Sequence, residues 1–144
     1  DIIGPKCELN HVLILGPERS ATHIELAQTD CRNIGIKAPV RSSGDTKGTP
    51  GVTLRGPNGT LTVPEGVMIA DRHIHMTPAQ AAAFGLADGD RVQVKIDGPK
   101  PGVMGGVLIR ANDKCALDFH IDTDDGNAFL LKQGQLVTVL GKEE

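Results

Sequence analysis

The chain has 144 residues, with 18 acidic and 15 basic side chains and a formal net charge of −3 at pH 7. It contains no Trp or Tyr and three Phe, so it lacks the aromatic platforms on which single-stranded nucleic acid stacks. It has no block of Lys or Arg, which argues against a general nucleic-acid or membrane-surface binder. No apolar run approaches the roughly 20 residues of a membrane span. The 18 Gly and 9 Pro favour a mostly β protein with many turns and short helices.

The three cysteines, Cys7, Cys31 and Cys115, are odd in number and widely spaced. This pattern is typical of reduced cytosolic thiols, and not of a disulfide framework or a thiolate metal cluster. A cysteine that carried an acyl group would need a nearby base to lower its pKa, and no such partner is adjacent in the sequence. We therefore expect a cytoplasmic protein whose cysteines are structural.

Apolar alternation and turn residues divide the chain into short elements. The predicted strands cover 11–15, 22–26, 36–40, both arms of a hairpin within 52–63, 66–70, 91–96, 107–110, 116–121 and 134–140. The predicted helices cover 28–34, 77–84 and 125–131. The Gly16-Pro17 pair and the Gly/Pro-rich stretch 98–106 are predicted turns, because Gly and Pro interrupt regular structure.

Local signals define several of these boundaries. Gly35 takes the position of the glycine that follows many helices, whereas Thr77 and Pro78 suit the N-cap and the first residue of the second helix. The Pro57-Asn58-Gly59 turn predicts the hairpin. The polar run 41–51 is rich in Gly and hydroxyl groups, and it suits either a plain surface loop or an anion-binding loop.

Two of the five histidines stand one residue apart, at His73 and His75. Side chains of an extended segment alternate between faces, so both rings share a face with Cα atoms roughly 6.5–7 Å apart. From that separation two imidazoles can converge on one metal ion, and His120 is the candidate for a third ligand. A His-x-His alone is also typical of surface or hydrogen-bonded structural histidines, and the spacing leaves both readings open.

The chain resembles itself at an offset of 50 residues. The segment 22–26 aligns with 72–76, and 34–36 aligns with 84–86, so that each unit reads as strand, short helix, glycine and strand. Two such units predict two small β-barrels capped by short α-helices, one over 1–70 and one over 71–144. The offset places Glu25 at the position that His75 holds in the second unit.

At these residues the sequence resembles the PduL-type phosphate propanoyltransferases, also called phosphotransacylases. The resemblance covers essentially the whole chain and rests on several blocks that agree in order and spacing. The blocks are Gly16–Glu25, Ala38–Asp45, Gly66–Met76 and His120–Asp125.

The resemblance implies two β-barrels with short helical caps, a site for two metal ions, usually zinc with cobalt as an alternative, and a homodimer. It implies reversible acyl transfer between coenzyme A and phosphate. It also implies residue roles: His73, His75 and His120 as metal ligands, Glu25 as a carboxylate ligand of the other metal, Arg19 as the arginine that meets phosphate and Ser43 as a serine near the site.

The sequence departs from the family pattern at its start. Members of the family begin with a further segment that contains another His-x-His, and the chain opens on Asp1 without such a segment. We therefore expect a fragment, a processed product or a trimmed chain, in which either the remaining ligands lie on a separate piece or only the second metal site is intact. Many relatives belong to bacterial microcompartments, which implies shell or cargo partners.

Together these features predict a metal-dependent phosphate acyltransferase that acts on propanoyl-CoA or acetyl-CoA. The alternative is a non-catalytic barrel module or an inactive fragment, because the stretch 85–94 also resembles the helix-to-strand turn of double-psi barrel domains. Metal content and a phosphate-dependent thiol-release assay separate the two readings.

Overall fold

The computed structural model of the protein describes residues 1–16 and 18–143. Half of the predicted Gly16-Pro17 turn, Pro17, lies outside the described residues. The chain divides into two compact units, Asp1–Ala70 and Asp71–Glu144, called here the first and second units. No helix in the described part of the chain is long and apolar enough to cross a membrane.

The fold is mostly β, as predicted, with 35% of residues in strands and 14% in helices. The strands are β1 (Ile2–Ile3), β2 (Glu8–Leu9), β3 (Ile24–Glu25), β4 (Val40–Arg41), β5 (Val52–Gly56), β6 (Gly59–Val63), β7 (Val67–Ala70), β8 (His73–Met76), β9 (Arg91–Ile96), β10 (Gly102–Ala111), β11 (Asp118–His120) and β12 (Thr138–Lys142). The helices are α1 (Gln28–Ile34), α2 (Pro78–Ala83) and α3 (Thr123–Phe129).

The first unit contains a four-stranded sheet in the order β2-β1-β5-β6 and a three-stranded parallel sheet in the order β3-β7-β4. The predicted hairpin is the antiparallel β5–β6 pair, in which Gly56 lies opposite Gly59. A buried apolar cluster around Ile34, Cys31 and Val67 forms the core of this unit.

The second unit is built on one five-stranded sheet in the order β11-β8-β10-β9-β12. Strand β9 alternates exposed and buried residues along its length, which is the period of a strand with one face on the core. Its buried members, Val92, Val94 and Ile96, belong to one apolar cluster with Met76 of β8 and Ile109 of β10. This packing anchors β8, which carries His73 and His75, and its neighbour β10.

Helices α1 and α2 end in the same way, 50 residues apart. Gly35 and Gly85 both have positive φ angles, +85° and +69°, a conformation that glycine adopts at low cost. The next residues, Ile36 and Leu86, donate backbone hydrogen bonds to the carbonyls of Cys31 and Ala81 at 2.8 Å. These correspond to the six-to-one bond that closes many helices, so the offset seen in the sequence recurs in the backbone.

Three predicted elements are wrong. Of the predicted strand 36–40, only Val40 lies in a strand, β4. Residues 11–15 form no strand, although their composition favours one; Leu13, Ile14 and Leu15 are 79%, 98% and 85% exposed. Strand propensity reflects packing on a sheet, and here the chain offers these side chains no sheet to pack on within the first unit. The predicted turn over 98–106 is shorter, because β10 begins at Gly102 and accommodates its glycines at a bulge between Met104 and Val107.

Candidate metal site

Strand pairing brings three histidines together on one face of the second unit's sheet. Strands β8 and β11 are antiparallel, and their register places His120 directly opposite His73. His75 lies two residues further along β8 and therefore on the same face. Between them Ile74 and Phe119 are paired and point to the other face, where they pack with the core. The side chains of β8 thus alternate between the two faces of the sheet, as the His-x-His spacing predicts.

The three imidazoles are close enough to share one ion. Their ring centroids are 4.7 Å apart for His73 and His75, 5.0 Å for His73 and His120, and 4.7 Å for His75 and His120. One nitrogen from each ring can be chosen so that all three lie within 4.8 Å of one another. The Nε2 atoms of His73 and His75 are 3.0 Å apart. His73 is buried, whereas His120 is exposed to solvent.

His73 is oriented by the backbone that precedes it. Its Nδ1 donates a hydrogen bond of 2.8 Å to the carbonyl oxygen of Asp71, which leaves Nε2 directed toward the other histidines. The carboxylate of Asp71 in turn accepts a 2.6 Å bond from the guanidinium of Arg91 on β9. A backbone carbonyl on the second ring nitrogen is the arrangement that metal-bound histidines use to set their tautomer.

The other two histidines also have polar neighbours. The Nδ1 of His75 is 2.9 Å from the Sγ of Cys115, and the Nε2 of His120 is 3.4 Å from a carboxylate oxygen of Asp118. Nothing in the sequence indicates the cysteine contact, because Cys115 and His75 are 40 residues apart and the turn between β10 and β11 determines where the thiol lies.

The surroundings favour the neutral form of His75. Burial is the largest cause that lowers the pKa of His75. The neighbouring side chains of His73, His120 and Arg110 lower this pKa further, whereas Asp118 raises it. Arg110 lies opposite His75 in the parallel pairing of β10 with β8. A neutral imidazole has the free lone pair that a metal ion requires.

This donor set suits zinc or a similar borderline cation. Three imidazoles are the protein ligands of one common type of catalytic zinc site, in which the fourth position stays open. The tautomer of His73 is already the one that ligation by Nε2 requires, because Asp71 presents a carbonyl that can only accept. The residues present therefore fit the metal that the resemblance implies.

The remaining predicted site residues belong to the first unit. Glu25 is exposed on β3, with a carboxylate oxygen 3.3 Å from the Nε2 of His23. Arg19 is exposed in the segment before β3, and Ser43 is half-buried in a turn after β4. Their predicted roles stay predictions.

The polar run 41–51 forms turns, and part of its donor capacity is already engaged. The backbone N–H of Gly48 donates a 3.0 Å bond to the carboxylate of Glu65. The hydroxyl of Thr49 accepts a buried bond of 2.9 Å from the N–H of Gly66. At these two positions the loop uses its polar groups to hold its own fold.

A cavity of about 640 Å³ also opens in the second unit, lined by side chains from β11, β12 and the segments before and after α3. Ile74 and Phe119 contribute to its wall. None of the three histidines lines this cavity, although Asp118, which contacts His120, contributes to its wall.

Comparisons with known proteins all give the same family. A family model described as phosphate propanoyltransferase matches residues 1–132. The chain is similar to the phosphate propanoyltransferase of Thermotoga maritima, with 45% identity over 140 residues, which is 96% of this chain and 67% of the relative. It is also 45% identical to that of Alkaliphilus metalliredigens, over 92% of this chain and 63% of the relative.

The enzyme of the same name from Salmonella typhimurium is 45% identical over 128 residues, covering 88% of this chain and 61% of the relative. The chain thus spans about two thirds of the length of the curated relatives it matches. The matches in sequence extend over both units, and they include the strands that carry the three histidines. The chain belongs to the phosphate propanoyltransferase family.

Proposed function

We propose that this chain carries part or all of the catalytic apparatus of a metal-dependent phosphate acyltransferase. The reaction interconverts propanoyl-CoA or acetyl-CoA and phosphate with acyl phosphate and coenzyme A. The observation that carries the proposal is the cluster of His73, His75 and His120 in a chain of this family. A non-catalytic barrel module would have no need for three converging imidazoles, two of which have a polar partner on the ring nitrogen away from the other rings.

In the proposed site the three histidines hold a zinc ion. Zinc bound by imidazoles supplies Lewis-acid chemistry, which polarises a carbonyl oxygen and stabilises a departing thiolate. The chain's own contribution is to favour the neutral form of His75 and to orient His73. The backbone carbonyl of Asp71 accepts a hydrogen bond from the Nδ1 of His73, and Arg91 donates to the carboxylate of Asp71.

The other roles follow from the family likeness. We assign Arg19 to phosphate, because a guanidinium fork matches two phosphate oxygens and stays charged at every physiological pH. We assign Glu25 as a carboxylate ligand of a second metal ion, and Ser43 as a polar group close to the substrates. In the reaction a phosphate oxygen forms a bond to the thioester carbonyl carbon, and the bond from that carbon to sulfur breaks as the thiolate of coenzyme A leaves.

The proposal needs no covalent acyl-enzyme. Oxygen–carbon bond formation and carbon–sulfur bond cleavage complete the transfer between the two substrates, and the electron pair of the broken bond leaves with the sulfur. Acetyl and propanoyl groups differ by one methylene, which a pocket discriminates by only about 1–3 kcal/mol. Both acyl groups are therefore included.

The family likeness also supports two wider proposals, a homodimer and a cytoplasmic protein that works inside a bacterial microcompartment with shell or cargo partners. Both concern the whole protein, and this chain spans about two thirds of the length of its relatives.

The first prediction concerns metal content. His120→Ala should lower the zinc bound by the purified protein by about one ion per chain, because two remaining imidazoles hold zinc poorly. Zinc is measured by elemental mass spectrometry after purification without chelators. His11→Asn is the matched control, since His11 is exposed and has a φ of +58°, which Asn tolerates. Equal zinc in wild type and His120→Ala would contradict the assigned ligand.

The second prediction concerns pH. Protons compete with zinc for imidazole, so zinc affinity should fall as the pH drops below the ordinary histidine pKa of about 6.5. The lowered pKa of His75 means that this ring is protonated only at lower pH. The expected slope reaches about tenfold per pH unit for each imidazole that must lose a proton. Chelator competition between about pH 8 and pH 5.5 measures it, and a flat profile would rule out histidine ligation.

The third prediction concerns Arg19. Arg19→Ala should leave zinc content unchanged and reduce phosphate-dependent release of coenzyme A from propanoyl-CoA by roughly ten- to a hundredfold, the usual range for losing a charged hydrogen bond. The loss should appear mainly as a higher KM for phosphate. Arg32→Ala, on the exposed surface of α1, should behave as wild type. An unchanged rate at low phosphate in Arg19→Ala would remove the assigned role.

A further inference from the structure

Cys115 contacts a proposed metal ligand but is not itself part of the three-histidine cluster. It is half-buried in the turn between β10 and β11, where its backbone N–H donates to the carbonyl of Asn112 at 3.1 Å. Its Sγ lies 2.9 Å from the Nδ1 of His75, which is the ring nitrogen away from the other histidines. A thiol can both donate and accept a hydrogen bond, so the direction of this contact has to be worked out from its neighbours.

The direction of the hydrogen bond between Cys115 and His75 follows from the other end of this series of contacts, at the carbonyl of Asp71. The carbonyl of Asp71 can only accept, so the hydrogen of neutral His73 must be on Nδ1. The Nε2 of His73 then has a lone pair and no hydrogen. This nitrogen lies 3.0 Å from the Nε2 of His75, so a hydrogen bond between them requires His75 to be the donor.

The same reasoning extends to the thiol. A neutral imidazole carries one hydrogen, and in His75 that hydrogen is on Nε2. The Nδ1 of His75 is therefore bare, and at 2.9 Å from Sγ it must accept the S–H of Cys115. Without a metal ion, the four groups form one directed series from Cys115 through His75 and His73 to the Asp71 carbonyl.

Ligation requires the opposite tautomer of His75. If the Nε2 atoms of His73 and His75 both bind a cation, His75 must lose the hydrogen on Nε2 and gain one on Nδ1. The exchange runs through solvent and leaves the hydrogen count of the neutral ring unchanged. Nδ1 then needs an acceptor where it previously needed a donor.

We propose that Cys115 is a positioning residue for His75, whose thiol donates to Nδ1 in the metal-free protein and accepts from Nδ1–H when Nε2 binds the metal. Rotation about the Cβ–Sγ bond is the only movement required of the cysteine. A side chain that only donates, only accepts or does neither would satisfy at most one of the two states. This inference rests on the metal site of the proposed function.

The first test reads the tautomer directly and needs no variant that might fail to fold. Long-range proton–nitrogen NMR correlations on ¹⁵N-labelled, metal-free protein at about pH 8, where histidine is neutral, distinguish Nε2–H from Nδ1–H. The His75 signals are identified by their loss in His75→Gln. We expect Nε2–H in the metal-free protein and Nδ1–H after zinc is added. An Nδ1–H tautomer before zinc is added would overturn the proposal.

The second test measures zinc affinity by chelator competition. Cys115→Ala removes both functions of the thiol and should weaken zinc binding by about tenfold, at the lower end of the cost of losing an outer partner of a metal-bound histidine. Cys115→Ser keeps a donor and acceptor and should stay close to wild type. Cys7→Ser is the control, because Cys7 is an exposed thiol of the first unit that donates to the carbonyl of Asn33 at 3.2 Å.

The outcomes separate the two proposals. Wild-type affinity in Cys115→Ala, with the tautomer of His75 unchanged, would contradict the role of Cys115 and leave the metal site standing. Failure of the wild type to bind zinc would overturn the metal site and this inference with it. Thermal unfolding in excess chelator shows whether a weaker affinity comes from loss of fold, and equal midpoints for Cys115→Ala and Cys115→Ser would support the positioning role.

Discussion

The candidate site depends on the pairing of β11 with β8. A shift of the register by one residue would move His120 to the opposite face of the sheet, because side chains alternate along a strand. The pairing of Phe119 with Ile74 prevents such a shift, since both side chains pack with the apolar core of the second unit. The same apolar contact that stabilises this edge of the sheet thereby sets which three imidazoles face one another.

A second constraint determines which ring nitrogen of each histidine carries the hydrogen atom. Three imidazoles whose candidate ligand atoms lie within 4.8 Å of one another would repel one another if protonated, and burial together with these neighbours favours the neutral form of His75. A neutral imidazole donates one hydrogen bond, so its partners determine which ring nitrogen carries no hydrogen. For His73 the carbonyl of Asp71 places the hydrogen on Nδ1. The thiol of Cys115 can serve either tautomer of His75, and this difference between the two outer partners underlies the proposed positioning role.

The sequence predicts the structure best where neighbouring residues alone determine the local conformation. The His-x-His spacing predicts a shared face, and the glycine at Gly35 and the cap at Thr77 mark helix ends that the structure has. It failed at 11–15, where strand propensity does not reveal whether a neighbouring strand exists to pair with. It also missed Cys115 and Asp71, because contacts between a turn and a strand 40 residues away, or through a backbone carbonyl, leave no residue pattern to read.

X-ray absorption at the zinc edge of the zinc-loaded protein tests the central claim most directly, since it reports the atoms that bind the ion without relying on a variant. The account predicts about three nitrogen donors at about 2.0–2.1 Å with the multiple scattering of imidazole rings, plus one light donor. Sulfur at about 2.3 Å in place of imidazole scattering would show that thiols, and not the three histidines, bind the ion. A shell of oxygen atoms without imidazole scattering would show that zinc binds elsewhere, and either result would contradict the three-histidine site.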